Sequence, residues 1–164
     1  MAKVKLICGK IGSGKSWYAQ RLKAASSGLL FSCDELVFAL SLEDMGAGHE
    51  ALIGKIKAYL YQKAAEAVSC GVDAILDFGF WSRAERTQVS AYFRQRGIPA
   101  EWHYVAVSDE DWRRNIEERN ALVLSQKAAA YFIDDGLFGK GLAAFEEPLP
   151  GDMDVWFENR RTGG

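Results

Sequence analysis

The sequence predicts an α/β fold: a parallel sheet with helices on both faces. Two observations lead there. Short apolar runs rich in branched residues alternate with helical segments along the whole chain, and parallel strands need crossovers that are usually helices. A glycine-rich loop also joins the first apolar run directly to the first helical pattern.

Taken in order, Val4–Cys8 reads as the first strand, followed by Gly9-Lys-Ile-Gly-Ser-Gly-Lys-Ser16 and a helix to about Ala25. Residues 29–32 form a second short strand that ends at Cys33-Asp34, and Leu36, Phe38 and Leu40 suggest a short helix. Residues 41–49, SLEDMGAGH, break all periodicity. From Glu50 to Cys70 a stripe of Leu52, Ile56, Leu60, Ala64 and Ala67 predicts the longest helix, which Gly71 ends in the left-handed conformation. Residues 72–78 read as a buried strand. Ser82 with Glu85 starts a helix to about Arg96, which Gly97 and Pro99 stop. Residues 102–107 give a fourth strand, and Ser108 with Asp111 repeats the helix-start signal, with Val107 able to staple against Trp112. That helix is expected over about 109–120, a further short helix over 125–135, a mobile loop over 136–152 and a last strand over 155–157.

Composition narrows the class. The 164 residues are 49% apolar and 26% charged, enough to bury roughly 70% of the unfolded surface without a disulfide or metal staple. A net charge of -2 lacks the basic excess of non-specific nucleic-acid binders, so long nucleic acid is not the expected partner. Cys8, Cys33 and Cys70 include no CxxC pair and are odd in number, which argues against a disulfide framework and a four-ligand zinc site. No apolar run approaches the length of a membrane span or the core of a signal peptide. The expectation is one domain over residues 1–164, cytoplasmic and without membrane contact, its protein partners unspecified.

Gly9, Gly14, Lys15 and Ser16 satisfy GxxxxGK[S/T], the phosphate-binding P-loop or Walker A motif, and sit between strand and helix as that motif requires. Glycines let backbone N–H groups curl around phosphate oxygens, the helix N-terminus adds a favourable dipole, Lys15 reaches the outer phosphates and Ser16 ligates magnesium. The expected nucleotide contacts are therefore Gly9, Ile11, Gly12, Ser13, Gly14, Lys15, Ser16 and Trp17, with ATP and Mg2+ as cofactors. A dinucleotide fingerprint fails because Trp17 stands where it needs a third glycine. Neither an NKxD guanine motif nor an LSGGQ signature occurs. Asp34, at the carboxyl end of a parallel strand, faces the crevice where such folds bind ligands, and is either a general base or a helix cap. Asp77 closes the apolar run Ala74-Ile-Leu-Asp77 and is the second magnesium candidate.

With Asp34, the stretch VDAILDFGFWSRAER at residues 72–86 and the arginines at 113–119, the chain resembles a group of small P-loop kinases. Phage-type polynucleotide 5'-hydroxyl kinase, zeta toxin and chloramphenicol phosphotransferase belong to that group. The resemblance covers nearly the whole chain. It implies a three-layer P-loop NTPase fold of nucleoside-monophosphate-kinase type, with sheet order 2-3-1-4-5, and transfer of the ATP γ-phosphate to a hydroxyl. It implies Asp34 as base and acceptor contact, Arg86 and Arg83 at the acceptor, and lid arginines among Arg113, Arg114 and Arg119. Arg114 and Arg119, five apart, point about 140° away from each other on a regular helix, so only one would reach the phosphates; Arg119 is favoured, with Arg114 second. The lid and base-side loop would span about 114–152, with residues 145–148 a base-edge contact. Trp81 and Phe80 either line the acceptor pocket or belong to the core. His103 is expected to be a satisfied core or edge residue rather than a catalyst, and the 41–49 loop with His49 either covers the acceptor or merely connects elements. A nucleotide-gated switch with little hydrolysis is the competing functional reading.

Overall fold

The computed structural model describes residues 1–42, 46–128 and 130–160. Five strands, β1 (Val4–Cys8), β2 (Leu29–Ser32), β3 (Ala74–Gly79), β4 (Ala100–Ala106) and β5 (Val155–Glu158), form one sheet in the order β2-β3-β1-β4-β5. Every pairing is parallel. Among the described residues six α-helices connect them: α1 (Lys15–Ser26), α2 (Cys33–Ala39), α3 (His49–Ser69), α4 (Arg83–Arg94), α5 (Asp109–Leu124) and α6 (Asp135–Ala144).

The strand period of two sorts the sheet into two faces. Val4, Leu6 and Cys8 of β1 join Leu76, Phe80, Val89, Phe93 and Trp102 on the α3 and α4 side. Ile7, Ile75 and Val105 pack with Tyr18 and Ala19 of α1 on the other. The stripe predicted on α3 is the buried one, with Ile56, Leu60, Ala64 and Ala67 inside, and Gly71 ends the helix at φ 82°. His103 lies in the core as expected, held between the Tyr18 hydroxyl at 2.8 Å and the Glu101 carboxylate at 2.8 Å.

Two element expectations are corrected. Among the described residues of 125–135 no short helix forms before Asp135; instead α5 runs on to Leu124, and α6 occupies ground read as a mobile loop. The Asp134 side chain accepts the Leu137 N–H at 2.7 Å and starts α6. Leu137 and Phe138 then pack against the Ile11, Trp112 and Ile116 cluster, with Phe138 stacked on Trp112 at 4.6 Å. Tertiary burial thus overrides the low helix propensity of Gly136, Gly139 and Gly141. A single turn of 3-10 helix, Pro150–Asp152, follows.

Candidate nucleotide and acceptor site

The glycine-rich loop leaves β1 and enters α1 with Gly12 and Gly14 at positive φ. A side chain at Gly14, where φ is 96°, would also run into the Asn159 amide. Four consecutive carbonyls of the loop accept hydrogen bonds from groups around it. Lys15 Nζ donates to Lys10 at 2.8 Å, the Trp112 indole to Ile11 at 2.6 Å, Asn115 to Gly12 at 3.2 Å and Asn159 to Ser13 at 2.9 Å. Because C=O and N–H point opposite ways across a trans peptide, this shell turns the Gly12 and Gly14 N–H groups to the other side of the loop. A backbone cradle for an anion results.

β3 supplies the next wall. Asp77 pairs with Ile7, but Cys8 pairs with Gly79, so Phe78 is bulged out of the ladder. A bulge re-aims side chains, and Asp77, Phe78 and Gly79 all line one cavity of about 430 Å³ with Lys15, Ser16, Asp34 and Arg119. Ser16 Oγ donates to Asp77 Oδ2 at 2.7 Å. Asp34 is freed for this cavity because Ser32 caps α2 in its place, accepting the Glu35 N–H at 3.2 Å.

Lys15, Asp34, Asp77 and Arg119 form one electrostatic cluster. Burial pushes the Lys15 ammonium below its usual range, against the opposing pull of Asp77 and Asp34. Burial raises Asp77 above the ordinary carboxylate range, opposed by Lys15 and by the Ser16 hydrogen bond. Burial also lowers the Arg119 guanidinium, which the two aspartates counter. Arg119 Nε is buried without a hydrogen-bond partner.

The other expected residues divide. Ile11 and Gly12 line the cavity with Lys15 and Ser16, while Gly9, Ser13 and Gly14 shape the loop behind them. Trp17 turns outward, 51% exposed, with Arg21 over its ring at 4.8 Å and Phe157 at 6.2 Å. Arg114 is exposed and paired with Glu110 one turn back, and Arg113 is exposed too. Arg83 and Arg86 do not reach the cavity; they border a separate hollow with Glu146 and Glu147. Arg86 is 6% exposed, and its guanidinium donates to the carbonyls of Phe80 at 2.9 Å, Trp81 at 3.0 Å and Glu146 at 2.9 Å. These bonds clamp a turn in which Gly79 and Phe80 both have positive φ. The turn sends Phe80 into the core and Trp81 to the cavity wall. Residues 145–148 lie beside this clamp, with Glu146 N bonded to Trp81 O at 2.9 Å and Glu147 to the Tyr104 hydroxyl at 3.2 Å, rather than against the phosphate loop.

Several lining residues were not singled out from the sequence. Glu50, Ile53 and Lys57 face the cavity from α3, Glu85 from α4 and Tyr131 from the segment before α6. The spacing of 50, 53 and 57 marks one helix face, a signal that was readable. His49, from the irregular loop, joins them, whereas Glu43 and Asp44 lie outside the described residues.

The donor set fits a nucleotide with magnesium. Among the described residues no cluster of three or more His, Cys, Asp and Glu could hold a metal alone. Ser16 and Asp77 offer a hydroxyl and a carboxylate, the small donor set that magnesium takes when phosphates and water complete its shell. No helix among the described residues is long and apolar enough to cross a membrane.

Fold and loop together define a P-loop nucleotide-binding protein of α/β type. The chain belongs to the AAA domain family, whose model matches residues 4–147. No curated protein sequence matches it significantly. Among solved structures it is similar to Chaetomium thermophilum Kti12 in complex with ADP-AlF3, with 20% identity over 97% of this chain and 89% of that one and a TM-score of 0.68. It is also similar to a gluconokinase from Sinorhizobium meliloti 1021, with 14% identity, 96% and 82% coverage and a TM-score of 0.66. The Mycobacterium tuberculosis APS kinase CysC, in complex with AMPPNP and APS, gives 15% identity, 98% and 90% coverage and a TM-score of 0.57. At these identities the likeness is one of fold.

Proposed function

We propose that the protein is an ATP- and magnesium-dependent phosphotransferase acting on the hydroxyl of a small acceptor. The observation that carries this reading is the convergence of Lys15, Asp34, Asp77 and Arg119, from four separate elements, on one cavity beside a phosphate-binding loop. The kinases among its fold neighbours favour the same reading.

Bound ATP with Mg2+ supplies the γ-phosphoryl group, whose bond to the bridging oxygen of ADP breaks as a bond to the acceptor oxygen forms. The loop amides and Lys15 hold phosphate oxygens, and Ser16 with Asp77 would hold the metal. Asp34 accepts the proton of the attacking hydroxyl. Arg119, with its Nε without a hydrogen-bond partner, offers donors to the charge that spreads over the transferring group. Ile11, Leu137 and Tyr131 add apolar and aromatic surface to the cavity wall.

The test is a transfer screen with γ-labelled ATP, Mg2+ and nucleosides, 5'-hydroxyl oligonucleotides, aminoglycosides, chloramphenicol and nucleotide sugars. Label is expected on one class of alcohol and is expected to disappear with Lys15→Ala. Tight ATP binding without transfer to any alcohol would contradict the assignment.

A further inference from the structure

The acceptor half of the cavity carries a charge pattern that narrows the acceptor, an inference that rests on the phosphotransfer reading above. Asp34, Glu50, Lys57 and Glu85 are the charged residues of this half. Lys57 Nζ is bonded to Glu85 at 2.5 Å, so its charge is answered within the protein. Asp34 is answered by Lys15 and Arg119 at the phosphate end, which leaves one negative charge, that of Glu50, without an opposing cation on this wall.

A phosphate-, sulfate- or carboxylate-bearing acceptor needs a cation on this wall. The residues that the kinase resemblance would have used are turned elsewhere: Arg86 is committed to three carbonyls and Arg83 borders the other hollow. Lys15 and Arg119 lie at the phosphate end, interacting with Asp77 and Asp34. The rest of the acceptor wall is ring and aliphatic surface from Phe78, Ile53 and Tyr131. Two polar atoms in this lining, Trp81 Nε1 and His49 Nδ1, are buried with no hydrogen-bond partner.

We infer that the acceptor is a small amino alcohol with an apolar body, its ammonium drawn to Glu50, its ring or chain against Phe78 and Trp81, and its hydroxyl at Asp34. The hydroxyl proton passes to the Asp34 carboxylate, the acceptor oxygen bonds to the γ-phosphorus, and ADP leaves with the bridging oxygen. Anionic alcohols are excluded by like charge, an effect of about tenfold or more for one carboxylate facing another in a partly shielded site.

A matched series tests this: phenylalaninol, neutral N-acetylphenylalaninol and anionic N-succinylphenylalaninol share one hydroxyl and one ring and differ in charge. Binding is measured by calorimetry in the presence of a non-hydrolysable ATP analogue and Mg2+, and transfer with γ-labelled ATP. The expected order is cationic, neutral, anionic, with about tenfold or more between the ends, a gap that shrinks severalfold in Glu50→Gln. An anionic member that binds as well as the cationic one, failure of all three to bind, or an unchanged gap in Glu50→Gln would overturn the inference. The two readings separate cleanly. Binding in the expected order without label transfer contradicts the phosphotransfer reading alone, whereas efficient transfer to anionic alcohols contradicts the acceptor class alone.

Discussion

The two ends of the cavity hold their charge in opposite ways. At the phosphate end, Lys15, Asp77 and Arg119 come from different elements and each is pulled toward neutrality by burial, Arg119 with its Nε unpartnered. On the acceptor wall the Lys57–Glu85 pair, and behind it the Arg86 clamp, answer their charge and hydrogen bonds inside the protein. On the proposed function, groups bonded within the fold serve as scaffold and those facing the cavity serve the ligand. The two sets should therefore fail differently when cut, with the scaffold losing stability and the cradle losing ligand.

The largest effect on stability is expected from Arg86→Ala. It removes a donor from three carbonyls, of which Trp81 alone keeps a backbone N–H, that of Glu146, around a turn that already holds Phe80 at positive φ, at a cost on the order of 3 kcal/mol. For a chain of this size that is a fall in Tm of about 6–12 °C, read by thermal unfolding. A Tm within about a degree of the parent would break the distinction between the two ends.

Arg119→Ala is the counterpart. Removing a guanidinium whose Nε has no partner should leave Tm within about two degrees while phosphoryl transfer falls about a hundredfold or more. Arg114→Ala, which removes only an exposed pair with Glu110, should change neither measurement by more than about twofold in rate or one degree in Tm. Equal losses in the two variants would mean that helix α5 presents no distinct lid residue.

The smallest effect lies in the middle of β4. Burial lowers the His103 imidazole below its usual range despite the Glu101 carboxylate beside it. The unfolded chain therefore takes up that proton at a higher pH than the folded one. Stability is fully present above about pH 6.5 and falls as pH drops through that value toward the lower folded one. Urea midpoints at pH 7.5 and 5.5 should differ, and His103→Gln should reduce the difference. A midpoint that rises on acidification over this window would contradict the burial account.

Legibility from sequence followed the range of the interactions. The strand, loop and helix of residues 4–26 were readable because one short motif fixes backbone, charge and hydroxyl together. So was the capping of α4 and α5 by Ser82 and Ser108, each accepting an N–H three residues on. Helix α6 was not, because what stabilises it is the distant Ile11 and Trp112 surface, with Gly141 in close approach to Ile11. Arg86 carried a readable sign that its charge obscured: with Val89 and Phe93 it lies on the buried stripe of α4. Trp112, Asn115 and Asn159, which turn the loop carbonyls outward, are separated from the loop by about a hundred residues or more, and no local pattern announces them.

Asp34→Asn tests the central claim most directly, because Asn keeps the shape of the carboxylate and removes its basicity. ATP affinity, measured by calorimetry, should stay within about twofold, since Asp34 holds no phosphate, while transfer to the acceptor found in the screen should fall by about a hundredfold or more. An Asp34→Asn variant that binds ATP normally and transfers phosphate at the parent rate would show that Asp34 is not the base and that the cavity does not work as described.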